Sequence, residues 1–350
     1  MTLALTKTAH AVLRTMYYLA RVDGHGEVST ALGRVAAARA DAVWARPVFG
    51  RRVAASRYDI VRPPRPPGAA AVDPAFRYAP ELREAGWRAG RGLRHEIVAE
   101  PEPVWGEAFI AALDRAESVA VGPWLGMPEL LFGLLDGPDC EPAWQRLHAG
   151  GFTADTTPYA PYFTNAEDSG AILPRTPVVM PWAPRLFGWW MEKSVGGPVF
   201  TMLEEEARRQ AVRLGHDVVQ SSTVLLAILG LDEQMRLTDC RFTSRYRLTN
   251  DGAARLAARG MTLAAAGRAA EPIVCEAPAE PSDDVTRLLF RVGEPQDPAW
   301  SAEAIALMEE AGRVARRSGV KAYGTTHIVA ALAETPAPAA QRLLSALRLI

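Results

Sequence analysis

The 350-residue sequence is poor in cysteine and carries almost no net charge. It has three cysteines, far apart in the chain, and a formal charge of −1 at pH 7. Distant cysteines with no CxxC pair and no histidine at zinc-ligand spacing predict reduced, buried thiols and no zinc site. A charge so close to zero creates no overall field that would attract nucleic acid or an anionic membrane. Neither is therefore an expected partner.

Long hydrophobic runs are also missing. No stretch reaches the ~18 apolar residues of a membrane-spanning helix, and the segment up to Gly24 lacks the apolar region and cleavage site of a signal peptide. We therefore expect a cytoplasmic protein. Hydrophobic residues make up 49% and charged residues 23% of the chain, as in ordinary globular proteins. A chain of this length predicts two domains.

Motifs of catalytic chemistry are missing too. The sequence contains no GxSxG nucleophile motif and no GxxxxGK[ST] phosphate loop. His95 and Glu96 stand in RHEIVAE, but the second histidine of a zinc-binding HExxH helix is missing. We therefore predict no catalytic residues, no metal and no cofactor. An unrecognised enzyme in the connecting segments is the remote alternative.

What the sequence does contain is an internal repeat. Four segments share one plan: an amphipathic helix after a large apolar residue, a break at glycine or histidine, and a second apolar helix behind a small or hydroxyl residue. The copies are predicted to begin at Leu5, Trp105, Phe200 and Trp300, at nearly even spacing. The first helices of the second and third copies are expected to be about a turn short.

Helix signals are clearest in the fourth copy. An apolar stripe at spacings of three and four predicts the first helix, and Gly319 predicts its end as a C′ glycine. Thr325 or Thr326 is expected to cap the second helix. The stripe of the first helix consists of Ala304, Leu307, Met308, Ala311 and Ala315. The corresponding break and caps of the third copy are Gly215, Ser221 and Ser222.

Paired in order, the copies predict an all-α protein with two helical domains. The first spans residues 1–157 and contains an Arg- and Pro-rich insertion at 46–104, in which Val61–Gly68 should be extended and exposed. The second spans 195–350. The connector 158–194 is rich in proline and aromatic residues, so we expect it to pack on a domain.

The four segments resemble the Clp repeat, the helical repeat of the N-terminal domain of Clp-type protein unfoldases. The family pattern has an apolar-Thr start, an Ala-rich helix and a stretch close to Gly-His-x-x-Ile-Gly-Thr-Glu-His-Leu-Leu. The matching residues include Leu5-Thr6, Ala9, Ala20 and His25 in the first copy, Gly126, Leu130 and Leu131 in the second, Leu214-Gly215-His216 in the third, and Gly324-Thr325-Thr326-His327 in the fourth. The resemblance implies that two repeats pack as one pseudo-twofold helical domain.

One departure from the family pattern bears on function. In relatives that recognise phosphoarginine, the glutamate of the Thr-Glu-His element binds the guanidinium group. That position holds Ala31, Pro128, Ser222 and Thr326 in the four copies, and Glu129 stands one residue further along. Without a carboxylate to pair with an arginine, this activity should be absent or carried by other residues.

The resemblance implies a non-enzymatic peptide- or protein-binding protein with a groove between the first helices of paired repeats. A copy without a motor would sequester a peptide or a cyclic peptide antibiotic that targets the unfoldase. The alternative is an adaptor or regulator that docks on a Clp ATPase-protease. The positions matching the groove are Leu5, Leu13, Tyr17, Trp105, Phe200, Trp300 and Met308. Packing in the core is the competing interpretation for each of them.

We predict that the protein does not hydrolyse ATP, because it has no phosphate loop to hold the nucleotide. Incubation with Mg-ATP should release phosphate at the rate of a mock-purified control. Reproducible turnover above that control would contradict the prediction.

Overall fold

A computed structural model of the chain describes residues 4–40, 78–91, 93, 102–120, 124–135, 145, 159–162, 172–174, 197–273, 279, 296–320 and 323–349. The protein is mostly helical over these ranges, which confirms the predicted all-α class. It divides into two compact units, unit 1 at Met1–Tyr159 and unit 2 at Ala160–Ile350. Within the described ranges, no helix combines the length and the apolar character needed to cross a membrane.

Each copy in unit 1 consists of a two-residue strand, a first helix, a second two-residue strand and a second helix. The first copy comprises β1 (Ala4–Leu5), α1 (Lys7–Val22), β2 (Glu27–Val28) and α2 (Thr30–Ala40). The second comprises β3 (Val104–Trp105), α4 (Glu107–Ser118), β4 (Trp124–Leu125) and α5 (Met127–Leu134). Between the copies lies α3 (Ala79–Gly90), which belongs to the insertion. With 12 residues against 16 in α1, α4 is about a turn shorter, as predicted.

The short strands of unit 1 pair reciprocally. Strand β1 pairs in parallel with β4, and β2 pairs in parallel with β3. The strand that starts each copy therefore lies beside the strand in the turn of the other copy. Each ladder extends by one hydrogen bond to the N-cap residue of a first helix. The Thr6 N–H donates to the Leu125 carbonyl at 3.0 Å, and the Gly106 N–H donates to the Val28 carbonyl at 3.1 Å. The two copies of unit 1 therefore exchange equivalent strand contacts.

The core of unit 1 lies between the helical hairpins of its two copies. The backbones of α4 and α5 approach closely at Gly133, where a Cβ atom would lie 2.1 Å from the Ala112 carbonyl oxygen. Only a residue without a side chain permits this approach. The largest fully buried side chains of the unit are Leu13, Met16, Leu32, Phe109, Leu113, Leu125, Met127, Leu130, Leu131 and Leu134.

Unit 2 contains the third and fourth copies and additional short helices. The third copy has α6 (Gly197–Leu214), β6 (Val218–Val219) and α7 (Ser221–Leu237), preceded by β5 (Ile172–Pro174). There follow β7 (Cys240–Phe242), α8 (Ser244–Arg247), α9 (Gly252–Ala257) and α10 (Leu263–Ala270). The fourth copy has β8 (Ala299–Trp300), α11 (Ala302–Arg317) and α12 (Thr325–Ala331), and α13 (Pro338–Ala346) follows it.

The strand pairing of unit 2 repeats that of unit 1 in part. Strand β6, in the turn of the third copy, pairs in parallel with β8, which starts the fourth copy. The Ser301 N–H donates to the Val219 carbonyl at 3.0 Å, as the equivalent residues do in unit 1. The segments that precede Gly197 and Tyr323 fall outside the described residues. Strand β5 pairs antiparallel with β7, so this part of the predicted connector packs on unit 2.

Three first helices end in the same way. The glycine after the helix has a positive φ of 69°, 77° or 72°, which favours glycine because other residues are strained there. The next residue then donates its N–H to the carbonyl five residues earlier, at 2.8 to 2.9 Å. This confirms the predicted breaks at Gly215 and Gly319. The three glycine and carbonyl pairs are Gly24 with Ala20, Gly215 with Ala211, and Gly319 with Ala315.

The predicted start of the third copy at Phe200 is wrong. Helix α6 begins at Gly197 and has 18 residues, so Phe200 lies within its first turn and does not precede it. The helix is therefore not short. The apolar residue at position 200 resembled the aromatic starts of the neighbouring copies, but its burial comes from a helical position.

The predicted caps of the later second helices are also shifted by one or two residues. The N-cap residues are Gln220 and Gly324, and the side chain at the third helical position accepts their N–H groups. Thr223 Oγ1 accepts the Gln220 N–H at 2.9 Å, and His327 Nδ1 accepts the Gly324 N–H at 3.1 Å. Burial, together with nearby Arg255, lowers the pKa of His327. The ring is therefore neutral at pH 7 and its nitrogen can accept a hydrogen bond.

The hydroxyl groups predicted as caps of their own helices cap other helices instead. Thr325 and Thr326 accept the N–H groups of Gly252 and Asp251 at 3.1 and 2.8 Å, at the start of α9. The Ser221 hydroxyl accepts the N–H of Ala340, in α13, at 2.9 Å. These long-range caps satisfy buried helix termini that have no partner within their own helices.

One buried carboxylate joins two helix termini in unit 2. Glu303 Oε1 accepts the Ser221 N–H at 3.1 Å, at the start of α7, and Glu303 Oε2 accepts the Ala339 N–H at 3.0 Å, at the start of α13. The positive ends of two helix dipoles therefore face one negative group. This contact stabilises the packing of α7, α11 and α13.

Replacing Glu303→Ala should lower the free energy of unfolding by about 3 kcal/mol or more, because two buried N–H groups lose a charged acceptor. Urea unfolding followed by circular dichroism measures the change. Glu334→Ala is the matched control, since the Glu334 side chain is 48% exposed in its ion pair with Arg317, and should change stability by less than ~1 kcal/mol. Equal effects of the two substitutions would contradict the double cap.

Candidate functional site

The structure brings part of the predicted groove of unit 1 together. Tyr17 of α1 lies beside Trp105, which directly precedes α4, with ring centroids 5.8 Å apart. The Trp105 ring in turn stacks on the Phe109 ring, with centroids 5.3 Å apart. Leu13 lies one turn before Tyr17 on α1. We call the region around Leu13, Tyr17 and Trp105 the α1–α4 surface.

These residues differ in how much of them a ligand can reach. Leu13 is 1% exposed and packs in the core, and Tyr17 and Leu5 are 7% and 9% exposed. Trp105 is half-buried and packs against the edge of the core. A peptide can therefore contact Trp105 directly, whereas contact with Leu13 or Tyr17 requires neighbouring groups to move.

The group that covers Tyr17 is helix α3. It packs along α1, and Gly86 faces the Tyr17 ring so closely that a Cβ atom at Gly86 would lie 3.2 Å from Tyr17 Cε2 and Cζ. At the start of α3, the Tyr78 hydroxyl donates to Glu117 Oε2 of α4 at 2.5 Å. Helix α3 therefore contacts both first helices that border the α1–α4 surface.

The phenol of Tyr17 has a polar partner at the edge of the α1–α4 surface. Its hydroxyl donates to Glu102 Oε2 at 3.5 Å, and Glu102 accepts from Arg21 at 2.6 Å. Burial, with the Glu102 carboxylate adding to it, raises the pKa of Tyr17 to about 12. At neutral pH the group is therefore an uncharged donor.

The start of α1 is covered by a stack of rings and charges. The His10 and Tyr159 rings are parallel within 7°, with centroids 3.6 Å apart, and the Tyr159 N–H donates to the Leu5 carbonyl at 2.9 Å. The Arg88 guanidinium of α3 lies 5.8 Å from the Tyr159 ring, within reach of a cation–π interaction. Residues at opposite ends of unit 1 in sequence therefore meet at α1.

The predicted groove residues of unit 2 lie in its core. Phe200 and Trp300 are each 5% exposed and Met308 is 1% exposed. Phe200 packs edge-on against Tyr323, with centroids 5.5 Å apart. The burial of these side chains favours the core-packing interpretation for all three.

Helix α6, which contains Phe200, also carries several buried polar side chains. The Glu206 carboxylate is fully buried and accepts hydrogen bonds from Arg209 at 2.9 Å, Gln210 at 2.6 Å and Gln234 at 2.8 Å. Gly230 permits this arrangement, because a Cβ atom there would lie 2.4 Å from Glu206 Oε1. A carboxylate with this many donors has its charge neutralised and joins α6 to α7. It is not available as a general base.

At two of the four positions that match the phosphoarginine-binding glutamate, the side chain has contacts within unit 2. Ser222 is fully buried, and Thr326 accepts the Asp251 N–H. Glu129, the neighbouring carboxylate, accepts the Gly126 N–H at 2.9 Å and thereby caps α5. Among the described residues, no cluster of three or more histidine, cysteine or acidic side chains could hold a metal ion. His95 and Glu96 lie outside the described residues.

Four residues of this region were not predicted as site residues: Tyr78, Gly86, Glu102 and Tyr159. The first three belong to the insertion or its end, and Tyr159 belongs to the predicted connector. The segment that begins Ala-Pro-Glu at Ala79 does carry a helix-start signal, with Pro in the first turn and an acidic residue after it. That signal predicts a helix but not what the helix packs on.

Comparison with known proteins adds no family to these observations: a scan of protein-family models, a search of curated proteins and a search of solved structures find no match to the chain. The resemblance to the Clp repeat therefore rests on the residues of the four copies.

The two tryptophans that precede first helices should respond differently to truncation. Trp300→Ala should lower the free energy of unfolding by ~3–5 kcal/mol, because its ring is buried in the core. Trp105→Ala should cost less than ~2 kcal/mol, because its ring is only half-buried. Urea unfolding of both variants measures the difference. A Trp300→Ala variant as stable as the wild type would contradict its place in the core.

Proposed function

We propose that the chain is a non-enzymatic peptide- or protein-binding protein related to the N-terminal domain of Clp unfoldases, and that unit 1 binds through the α1–α4 surface. The reciprocal pairing of β1 with β4 and of β2 with β3 carries this proposal. It joins two copies of one helical repeat by an approximate twofold, which is the arrangement that the resemblance implies.

The chemistry of the α1–α4 surface supports peptide recognition. Trp105 offers an accessible rigid ring that packs against the buried Tyr17 ring, and rings of this kind bind apolar side chains at low entropic cost. Beside the rings, Glu102 pairs with Arg21 at 2.6 Å, and the Glu102 side chain is 74% exposed and can accept hydrogen bonds from N–H groups of a peptide. A mixture of apolar and polar contacts suits a peptide that has both.

The biological role that we propose is sequestration. The 350 residues contain no GxxxxGK[ST] phosphate loop, so they do not themselves include the motor that would draw in a bound peptide. The protein would hold an apolar linear or cyclic peptide, such as an antibiotic directed at the unfoldase, and lower its free concentration. In the alternative role, the same repeats dock on a Clp ATPase-protease and alter its substrate entry. Affinity purification from the native lysate separates the two, because only the alternative predicts a co-purifying unfoldase.

Direct binding is tested by fluorescence anisotropy with labelled apolar peptides, both linear and cyclic, against the full chain. Trp105→Ala should weaken binding by a factor of about ten or more, because the ring is the accessible anchor of the α1–α4 surface. Tyr18→Ala is the matched control, since Tyr18 is an exposed aromatic residue of α1 and neighbours Tyr17 in the sequence. Binding that is unaffected by Trp105→Ala, or weakened equally by both substitutions, would contradict the assignment of the surface.

A further inference from the structure

Helix α3 is not part of the plan shared by the four copies. Each copy has a first and a second helix, whereas α3 comes from the insertion between the copies of unit 1. It packs along α1, the first helix of the first copy, and its N-terminal Tyr78 reaches α4, the first helix of the second copy. An additional helix therefore lies on the surface where the repeat plan predicts a groove.

Helix α3 is buried on more than one side, as a helix held in a groove is, since Glu81, Glu84 and Trp87 are buried in addition to its apolar stripe. Tyr78, Leu82, Ala85 and Ala89 recur at spacings of four, three and four, and all are at most 7% exposed within the core cluster of unit 1. This spacing places them in one stripe along the helix. Amphipathic helices that dock in grooves of other proteins use anchors at the same spacing.

Helix α3 faces the Tyr17 ring with a residue that has no side chain. Gly86 faces the Tyr17 ring, and even a methyl group there would lie 3.2 Å from two ring atoms. A larger side chain would require the helix or the ring to move, since Tyr17 is itself buried. The contact therefore requires a very small residue opposite Tyr17.

Polar contacts fix the two ends of α3. Tyr78 donates to Glu117 of α4 at 2.5 Å at the start of the helix. Near the end of the helix, Arg88 lies 5.8 Å from the Tyr159 ring, which is stacked on His10 of α1. An ion pair with Glu84 of the same helix, at 3.0 Å, holds the Arg88 side chain in this position. The helix is thus positioned along its length by contacts at both ends.

We propose that the α1–α4 surface is a helix-binding site and that α3 is its intramolecular occupant. A partner segment that replaces α3 is an amphipathic helix with the apolar stripe of α3 and a glycine opposite Tyr17. This inference rests on the proposed peptide-binding function and specifies its ligand class. Because α3 is tethered to the site, its effective concentration is high, and a free peptide binds only in competition with it.

A peptide with the sequence of α3 tests the proposal. The probe is fluorescein-labelled YAPELREAGWRAGR, residues 78–91, titrated by anisotropy into the full-length chain. Two variants weaken the resident helix without altering α1 or α4: Leu82→Ala removes an anchor, and Gly86→Leu places a side chain against Tyr17. Both should bind the probe at least tenfold more tightly than the wild type, because the competition from α3 is reduced.

Two controls separate the site from general effects. Gly267→Leu, in α10 of unit 2, replaces a helical glycine whose Cβ atom would meet nothing within 4 Å, and it should bind the probe as weakly as the wild type. A probe carrying Gly86→Leu should bind no variant, because its side chain would meet Tyr17. Circular dichroism and hydrogen exchange of the α1 and α4 amides verify that each variant retains the fold of unit 1. Leu82→Ala stands as the test if Gly86→Leu does not fold.

The outcomes distinguish this inference from the proposed function. Equal binding of the probe to wild type and folded variants would overturn occupancy by α3. If no form binds the probe while apolar peptides still bind in a Trp105-dependent way, the inference fails and the proposed function stands. If no peptide binds any form, both fail. Tighter binding of the unmodified probe to the two α3 variants alone supports the inference.

Discussion

The fold depends on the pairing of strands that are only two residues long. Such strands have no stability of their own, but each of the three parallel ladders ends at the residue that begins a first helix. Thr6, Gly106 and Ser301 donate their N–H groups to a carbonyl in the turn of the other copy. The pairing therefore determines where a first helix starts and, in unit 1, joins the two copies by reciprocal contacts. The packing of the helical hairpins follows from that orientation.

Close packing of many short helices buries helix ends, and each buried end needs a partner for its N–H groups. Unit 2 meets this need with side chains from other helices. Glu303 serves the starts of α7 and α13, and Thr325 and Thr326 serve the start of α9. The buried Glu206 has the same structural character, since its donors come from α6 and α7. These buried polar residues of unit 2 therefore hold helices together.

The α1–α4 surface is where repeat architecture and insertion meet. The two copies of unit 1 bring Tyr17 and Trp105 into contact, and the insertion supplies α3, which covers Tyr17 and leaves Trp105 half-buried. Under the function proposed above, cover by a segment of the same chain would protect the surface from nonspecific apolar contacts. It would also select ligands, because a ligand would have to form better contacts than the tethered helix does.

Local signals in the sequence were sufficient to predict the helical class, the short α4 and the helix ends at Gly215 and Gly319. Helical periodicity and a left-handed backbone conformation are each determined by a few neighbouring residues. Local signals failed where contacts are long-range. The partners of Thr325 and Thr326 lie 73 and 75 residues away in sequence. Trp300 is buried where β8 pairs with β6. Both outcomes depend on segments that meet only after folding. The position of α3 on α1 is the clearest case. No helix was expected in the insertion, although Pro80 and Glu81 form a helix-start signal. A sequence by itself can determine that a segment has an apolar stripe, but only the tertiary structure decided what this helix covers, because an apolar stripe specifies burial and not the surface against which it is buried.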